Sequence, residues 1–131
     1  MSKHASTTLR SDWAQAFIDL LGAGFLVKFY DGTQPANVAA SLSGNTLLAT
    51  LTADSTPASE TSGVITFDTA NFSQDNSAHV TGAATWVSMQ KSDGTRVYEF
   101  AISGDGHTLT GTITADVDVT AGSWSWTAPD A

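Results

Sequence analysis

The chain of 131 residues has no cysteine, three prolines and only five lysines and arginines in total. Without cysteine, disulfide bridges and thiolate metal sites are excluded. Thirteen aspartates and glutamates give a formal net charge of -8. Because nucleic acids and anionic membrane surfaces are also negative, we expect neither of them as a partner. The acidity instead favours contact with a basic protein surface.

Long hydrophobic runs are also missing. The longest apolar stretch, near residues 17–29, is interrupted by Asp19, Lys28 and two glycines. A membrane-spanning helix needs about 20 mostly apolar residues, so none is predicted. The first eight residues are polar and no apolar region follows them, so no signal peptide is predicted either.

Motifs that carry chemistry are absent from the sequence. The spacing of His4, His79 and His107 fits none of the common zinc-binding patterns. No Gly-x-Ser-x-Gly segment or glycine-rich phosphate loop occurs. The glutamates are Glu60, in a polar stretch, and Glu99, which we expect to form a surface ion pair with a nearby cation. The sequence therefore predicts a protein that is not an enzyme and that uses no metal and no cofactor.

One segment near the N-terminus has helical periodicity. Its apolar residues recur at spacings of three and four, which places them on one predicted stripe: Leu9, Trp13, Ala16, Phe17, Leu20 and Leu21. Ser11 or Asp12 is the predicted N-cap, and Gly22 is predicted to end the helix. We therefore expect a helix over residues 9–22, preceded by a flexible arm, residues 1–8.

The chain after residue 24 alternates apolar and polar residues in short segments separated by turn residues. The predicted strands are 25–30, 47–53, 64–67, 80–90, 96–102, 108–114 and 117–127, with polar loops at 55–62 and 68–78. The core positions predicted from the alternation are Tyr98, Phe100, Ile102, Leu109 and Ile113. This pattern predicts an all-β fold, an antiparallel sandwich or jelly-roll-like barrel of seven to eight strands with one short N-terminal helix. Residues 9–131 are predicted to form a single domain.

Two tryptophans near the C-terminus are candidates for binding. Trp124 and Trp126 lie two residues apart on a predicted strand, so they share one face. Paired indoles fill sandwich cores, anchor protein interfaces or stack on sugar rings. The helical stripe raises the same question of core or interface. The candidate interface residues are Leu9, Trp13, Phe17, Leu20, Leu21, Trp124 and Trp126.

The order of these elements resembles that of a known group of proteins. A short helix is followed by the segment FYDGTQP at 29–35, then by GNTLLATLT, GVITF and VTGAATW, and by the turn SDGT at 92–95. This order, over residues 9–127, resembles small proteins encoded among the head and tail genes of tailed bacteriophages, some of which are capsid decoration (cement) proteins. The resemblance implies a β-rich fold, self-association and docking on a capsid lattice.

The function expected from this resemblance is that of a phage virion structural protein, of the capsid decoration type. Such a protein is made in the host cytoplasm, is located in the virion and stabilises the shell. The expected partners are the major capsid protein or another virion protein, together with further copies of the chain in a homo-oligomer. The alternatives are a head–tail connector or tail component, and a carbohydrate-binding or adhesin module that uses Trp124 and Trp126.

Overall fold

The computed structural model describes residues 4–55, 58–68, 72–73, 75, 81–104, 107–108, 112–113 and 124–127, with side chains only as far as Ile102. In this part of the chain there is one helix, α1 (Thr7–Leu21), and twelve strands. The strands are β1 (Leu26–Tyr30), β2 (Leu47–Ala53), β3 (Ala58–Thr61), β4 (Val64–Phe67), β5 (Phe72–Ser73), β6 (Gly82–Ala83), β7 (Trp86–Gln90), β8 (Arg96–Ala101), β9 (Ser103–Gly104), β10 (His107–Thr108), β11 (Thr112–Ile113) and β12 (Trp124–Thr127). No helix among the described residues has both the length and the apolar character needed to cross a membrane.

The strands form antiparallel sheets. The first sheet has the order β5-β2-β1-β7-β8, and the second has the order β3-β4-β12-β10-β9. Strands β11 and β6 form a separate antiparallel pair. The fold is therefore mostly β with antiparallel sheets and one short helix, which confirms this part of the sequence prediction.

The number and bounds of the strands differ from the prediction in several places. Strands β2 and β4 have the predicted bounds, but the predicted loops 55–62 and 68–78 contain β3 and β5. The predicted strand 80–90 is divided into β6 and β7. The predicted number of seven to eight strands is therefore wrong, because the described residues alone form twelve. Two-residue strands are too short to show alternation, so sequence periodicity cannot reveal them.

A tight turn between β3 and β4 brings the helix onto the second sheet. Ser62 and Gly63 have φ angles of 52° and 83°, the left-handed values that a two-residue hairpin turn requires. A Cβ atom added to Gly63 would lie 2.7 Å from the Cβ of Arg10. Glycine is therefore needed there both for the turn and for the close approach of the helix.

Side chains of the helix and of both five-stranded sheets belong to one hydrophobic core. Phe25, just before β1, packs edge-on against Phe67 of the second sheet with ring centroids 6.3 Å apart. The predicted core position Phe100 is fully buried, whereas Tyr98 and Ile102 are half-buried and pack against the core. Leu109 and Ile113 are the other two predicted core residues, and their side chains are outside the part that the structure describes.

We expect Phe100→Ala to lower the free energy of unfolding by about 3–5 kcal/mol, because it removes a buried aromatic ring and leaves a cavity. Urea denaturation followed by circular dichroism would measure the change. Val38→Ala is a matched control, since Val38 is 39% exposed and its truncation should change stability by less than about 0.5 kcal/mol. Equal stability of the two variants would show that the Phe100 side chain is not in the core.

Candidate interface on the N-terminal helix

The helix begins two residues earlier than the sequence predicts. The Ser6 Oγ accepts a hydrogen bond from the Leu9 backbone N–H at 3.1 Å, which makes Ser6 the N-cap. The predicted caps, Ser11 and Asp12, are wrong because both lie inside the helix. The predicted arm, residues 1–8, therefore overlaps the helix at Thr7 and Thr8. The predicted end is confirmed, since Gly22 follows the last helical residue with a φ of 72°.

One face of α1 is anchored in the core. Ala14, Ile18 and Leu21 are buried, and the helix packs on β3 and β4. Phe17 is half-buried and makes an edge-to-face contact with Tyr98 of β8, with ring centroids 5.5 Å apart. Of the predicted stripe, Leu21 and Phe17 thus pack against the chain's own strands.

The other apolar residues of the predicted stripe point to solvent. Leu9, Trp13 and Leu20 are 41%, 46% and 53% exposed, and Ala16 is exposed as well. The prediction of a single stripe is wrong, because these four members are exposed whereas Phe17 and Leu21 pack against strands. The buried face is centred on Ala14, Ile18 and Leu21, two of which the predicted stripe omitted. Its centre lies roughly 140° around the helix axis from the exposed set, at 100° per residue. We call Leu9, Trp13, Ala16 and Leu20 the helix seam.

Acidic side chains line one border of the helix seam. Asp12 and Asp19 immediately precede Trp13 and Leu20, and both are exposed. The Gln15 Nε2 donates a hydrogen bond of 2.9 Å to the Asp19 Oδ1. The helix seam is thus a line of apolar side chains with negative charge along one side.

The two C-terminal tryptophans are located by strand register only. In β12, Trp124 pairs with Phe67 and Trp126 pairs with Ile65, and both partners in β4 are buried. The side chains of Trp124 and Trp126 lie outside those that the structure describes. The sequence-based alternatives of core, interface and sugar contact therefore stay predictions.

A buried ion pair occupies the face of the first sheet that does not contain Phe100. The Arg96 Nε donates a hydrogen bond of 2.6 Å to the Glu99 Oε1, so the predicted pairing of Glu99 with a nearby cation is confirmed. Its predicted surface position is wrong, because the Glu99 side chain is only 3% exposed. The Arg96 Nη1 donates to the Ala40 carbonyl at 2.5 Å, so the loop after β1 reaches this face.

Neutral polar side chains extend this buried cluster. Ser88 and Gln90 are buried, and the Gln90 Nε2 donates to the Ser88 Oγ at 3.1 Å. Tyr30 stacks on Trp86 with centroids 4.6 Å apart. Burial raises the pKa of the Tyr30 hydroxyl, although a hydrogen bond with the Gln90 side chain partly opposes the shift. Sequence alternation missed this cluster because polar residues opposite an apolar face normally indicate a solvated face.

The remaining candidates for chemistry do not converge in the described structure. His4 is exposed, His79 lies outside the described residues, and His107 is located only as part of β10. Glu60 lies in β3 rather than in a loop, and its Oε2 accepts a hydrogen bond from the Gly63 backbone N–H. Among the described residues, no three His, Asp or Glu side chains form a group that could hold a metal ion. The helix seam is therefore the strongest candidate for a functional site in this part of the chain.

The two faces of α1 give a direct test by truncation. We expect Ile18→Ala to lower the free energy of unfolding by about 2–5 kcal/mol, because Ile18 is buried. Leu20→Ala should change it by less than about 0.5 kcal/mol, because Leu20 is largely in water. Urea unfolding of both variants at one protein concentration would measure the contrast. The reverse order of stability would mean that the helix is rotated the other way.

The buried phenol of Tyr30 predicts a loss of stability in alkali. Its pKa is raised above the ordinary value of 10.0 in the folded state, so folding favours the protonated hydroxyl. This contribution is fully present below pH 10 and is lost as the pH rises through the folded-state pKa. Unfolding free energies measured between pH 8 and pH 12 should fall more steeply for the natural chain than for Tyr30→Phe. Parallel curves would exclude this linkage.

Comparisons of the chain with protein-family models, curated proteins and solved structures found no match.

Proposed function

We propose that the chain is a structural protein of a tailed-phage virion, of the capsid decoration type, and that it attaches through the helix seam. The observation that carries the proposal is an apolar line left in water on a helix whose opposite face is buried in the core. Exposed apolar patches with polar borders are typical of protein–protein contact sites. The resemblance in the order of elements supports the virion as the setting.

We also propose that the two five-stranded sheets pack face to face as a sandwich or jelly roll. The contact between Phe25 and Phe67 supports this arrangement, because it joins the chain at the start of β1 to a strand of the second sheet. Ile65 of the second sheet is fully buried in the same core as Val27 and Met89 of the first. A rigid two-layer body of this kind would hold α1 in a fixed orientation on its surface.

The proposed mechanism is additive binding energy. The helix seam spans twelve residues, or roughly 17 Å along the axis, and offers four apolar side chains. A stable interface uses about 20–30 residues on each side. One contact of this size binds weakly. On a capsid lattice the same contact recurs many times, and contacts among neighbouring copies add effective concentration. If the chain binds the assembled shell but not the separate capsid subunits, its binding stabilises the shell by mass action.

A second candidate function, also that of a virion structural protein, is a head–tail connector or tail component. It differs from a decoration protein in copy number, which is in the hundreds for a decoration protein and small for a connector. The proposed partners are the major capsid protein or another virion protein, and further copies of the chain. The proposed location is the virion, after synthesis in the host cytoplasm.

Incorporation of the chain into particles tests the proposal. We expect Trp13→Glu/Leu20→Glu to reduce the number of copies per purified particle by about tenfold or more, because it removes a central aromatic anchor and places charge in the apolar contact. Quantitative mass spectrometry of purified particles would count the copies. A count in the hundreds for the natural chain is expected for decoration, and a count of a dozen or fewer would identify a connector or tail component instead.

The matched control is Thr8→Glu/Gln15→Glu, which adds the same charge at exposed positions of α1 outside the helix seam. This variant should be incorporated normally. Circular dichroism melting of both variants would verify that they remain folded. Normal incorporation of Trp13→Glu/Leu20→Glu would show that the helix seam is not the attachment site.

A further inference from the structure

We infer that the partner surface bound by the helix seam is an amphipathic α-helix of another protein, with lysine or arginine beside its own apolar line. This inference deepens the proposed function, because it takes the helix seam as the attachment site. It follows from the spacing of the exposed apolar residues, from the charges that border them, and from the poor fit of a second copy.

The spacing of the helix seam is that of a helix–helix contact. Leu9, Trp13, Ala16 and Leu20 are separated by four, three and four residues, which is the pattern of alternating a and d positions in a coiled coil. Side chains at these positions form one line along the helix and insert between the side chains of a second helix. The large Trp13 beside the small Ala16 supplies both a projection and a gap for such packing.

The position of α1 on the body leaves room for a second helix. The buried residues Ala14, Ile18 and Leu21 hold the helix against β3 and β4. The centre of the helix seam lies roughly 140° around the axis from the centre of this buried set. A partner helix can therefore lie along the helix seam without displacing any core contact.

The charge beside the helix seam selects a basic partner. Asp12 and Asp19 are exposed and occupy the positions that immediately precede the a positions Trp13 and Leu20. In paired helices these flanking positions face the flanking positions of the partner, and opposite charges there set partner choice. The chain also carries a net charge of -8, which attracts a basic surface at long range.

A second copy of the chain fits the helix seam poorly. In an antiparallel pair, the flanking position of one helix faces the same position of the other, so Asp12 would approach Asp19 of the second copy. In a parallel pair, Trp13 would face Trp13 and Ala16 would face Ala16, which crowds one layer and leaves a gap in the next. An anionic lipid surface is disfavoured too, because the same two aspartates would approach it.

Two designed peptides test the inference directly. Both are about three heptads long and share the same leucine and alanine seam, but one carries lysine and the other glutamate at the flanking positions. The full chain is titrated into each fluorescein-labelled peptide, and binding is followed by anisotropy at low salt. We expect the lysine peptide to bind on the order of tenfold more tightly, and the difference to shrink at high salt as the charges are screened.

Charge reversal on the chain completes the test. Asp12→Lys/Asp19→Lys should reverse the preference, so that the glutamate peptide binds more tightly. Asp54→Lys/Asp93→Lys is the control, because it makes the same change in net charge at exposed positions outside α1 and should keep the preference for the lysine peptide. Circular dichroism would confirm that both double variants are folded.

Three results would overturn the inference. The first is equal binding of the two peptides, or binding of neither. The second is an equal change of peptide preference in both double variants, since the net charge of the chain alone would then explain the preference. The third is a natural chain that sediments as a dimer and dissociates on Leu20→Glu, which would make a second copy the partner. None of these results contradicts the proposed function as long as incorporation into particles still requires Trp13 and Leu20. Normal incorporation of Trp13→Glu/Leu20→Glu would instead overturn the proposed function.

Discussion

The anchoring of α1 by Ala14, Ile18 and Leu21 is the constraint on which the surface of the molecule depends. A helix has one rotation about its axis, so burying one face determines which residues point outward. With Ile18 in the core, Leu9, Trp13 and Leu20 are exposed. The apolar residues of this helix therefore serve two surfaces. The inner set stabilises the fold, and the outer set is available for binding.

The close approach of the helix to the β3–β4 turn reinforces this orientation. Gly63 has no side chain to keep Arg10 away, and its positive φ closes the hairpin that the helix contacts. The contact between Phe17 and Tyr98 joins the same helix to β8 of the first sheet. Because the helix touches strands of both sheets, its orientation is coupled to the packing of the whole core. A rigidly oriented apolar line loses little conformational entropy when it binds.

Strand β7, which lies next to the edge strand β8 of the first sheet, is covered on both faces. All five residues of β7 are buried, including Ser88 and Gln90. The loop after β1 is closed at its base, where the Asn45 Nδ2 donates to the carbonyls of Asp31 and Thr33 at 2.9 Å. The covered face contains the Arg96–Glu99 ion pair, whose buried charges neutralise each other while Arg96 also donates to the Ala40 carbonyl. At β7 and Glu99, this face of the sheet is therefore committed to internal contacts.

The sequence predicts the regular elements well, because their signals are local. The end of α1 at Gly22 and the bounds of β2 and β4 follow from glycine conformation and from period-two alternation. The short strands β3 and β5 were missed because they depend on pairing with β4 and β2, not on their own residues. The buried position of Glu99 was missed because the loop that reaches its face is distant in sequence.

The candidate site was predictable in its residues but not in its geometry. Periodicity identified the exposed apolar positions of α1 and two of those that pack on strands, Phe17 and Leu21, but it missed the buried Ala14 and Ile18. Dividing the apolar positions of α1 into a buried and an exposed set requires knowing where β3, β4 and β8 lie. The charges of Asp12 and Asp19 can be linked to binding only after that division, because it shows that they border the exposed helix seam and not the buried face.

The small size of the helix seam agrees with the role proposed for the chain. A lone contact through four apolar side chains dissociates readily, since stable complexes use about 20–30 residues on each side. Weak single contacts have an advantage in a repeating shell, because misplaced copies dissociate while correctly placed neighbours hold each other. The acidic border then adds partner choice at little cost in affinity, since exposed charges affect specificity and encounter rate more than binding strength. Apolar spacing would thus supply the attachment, and Asp12 and Asp19 would determine which helix is accepted.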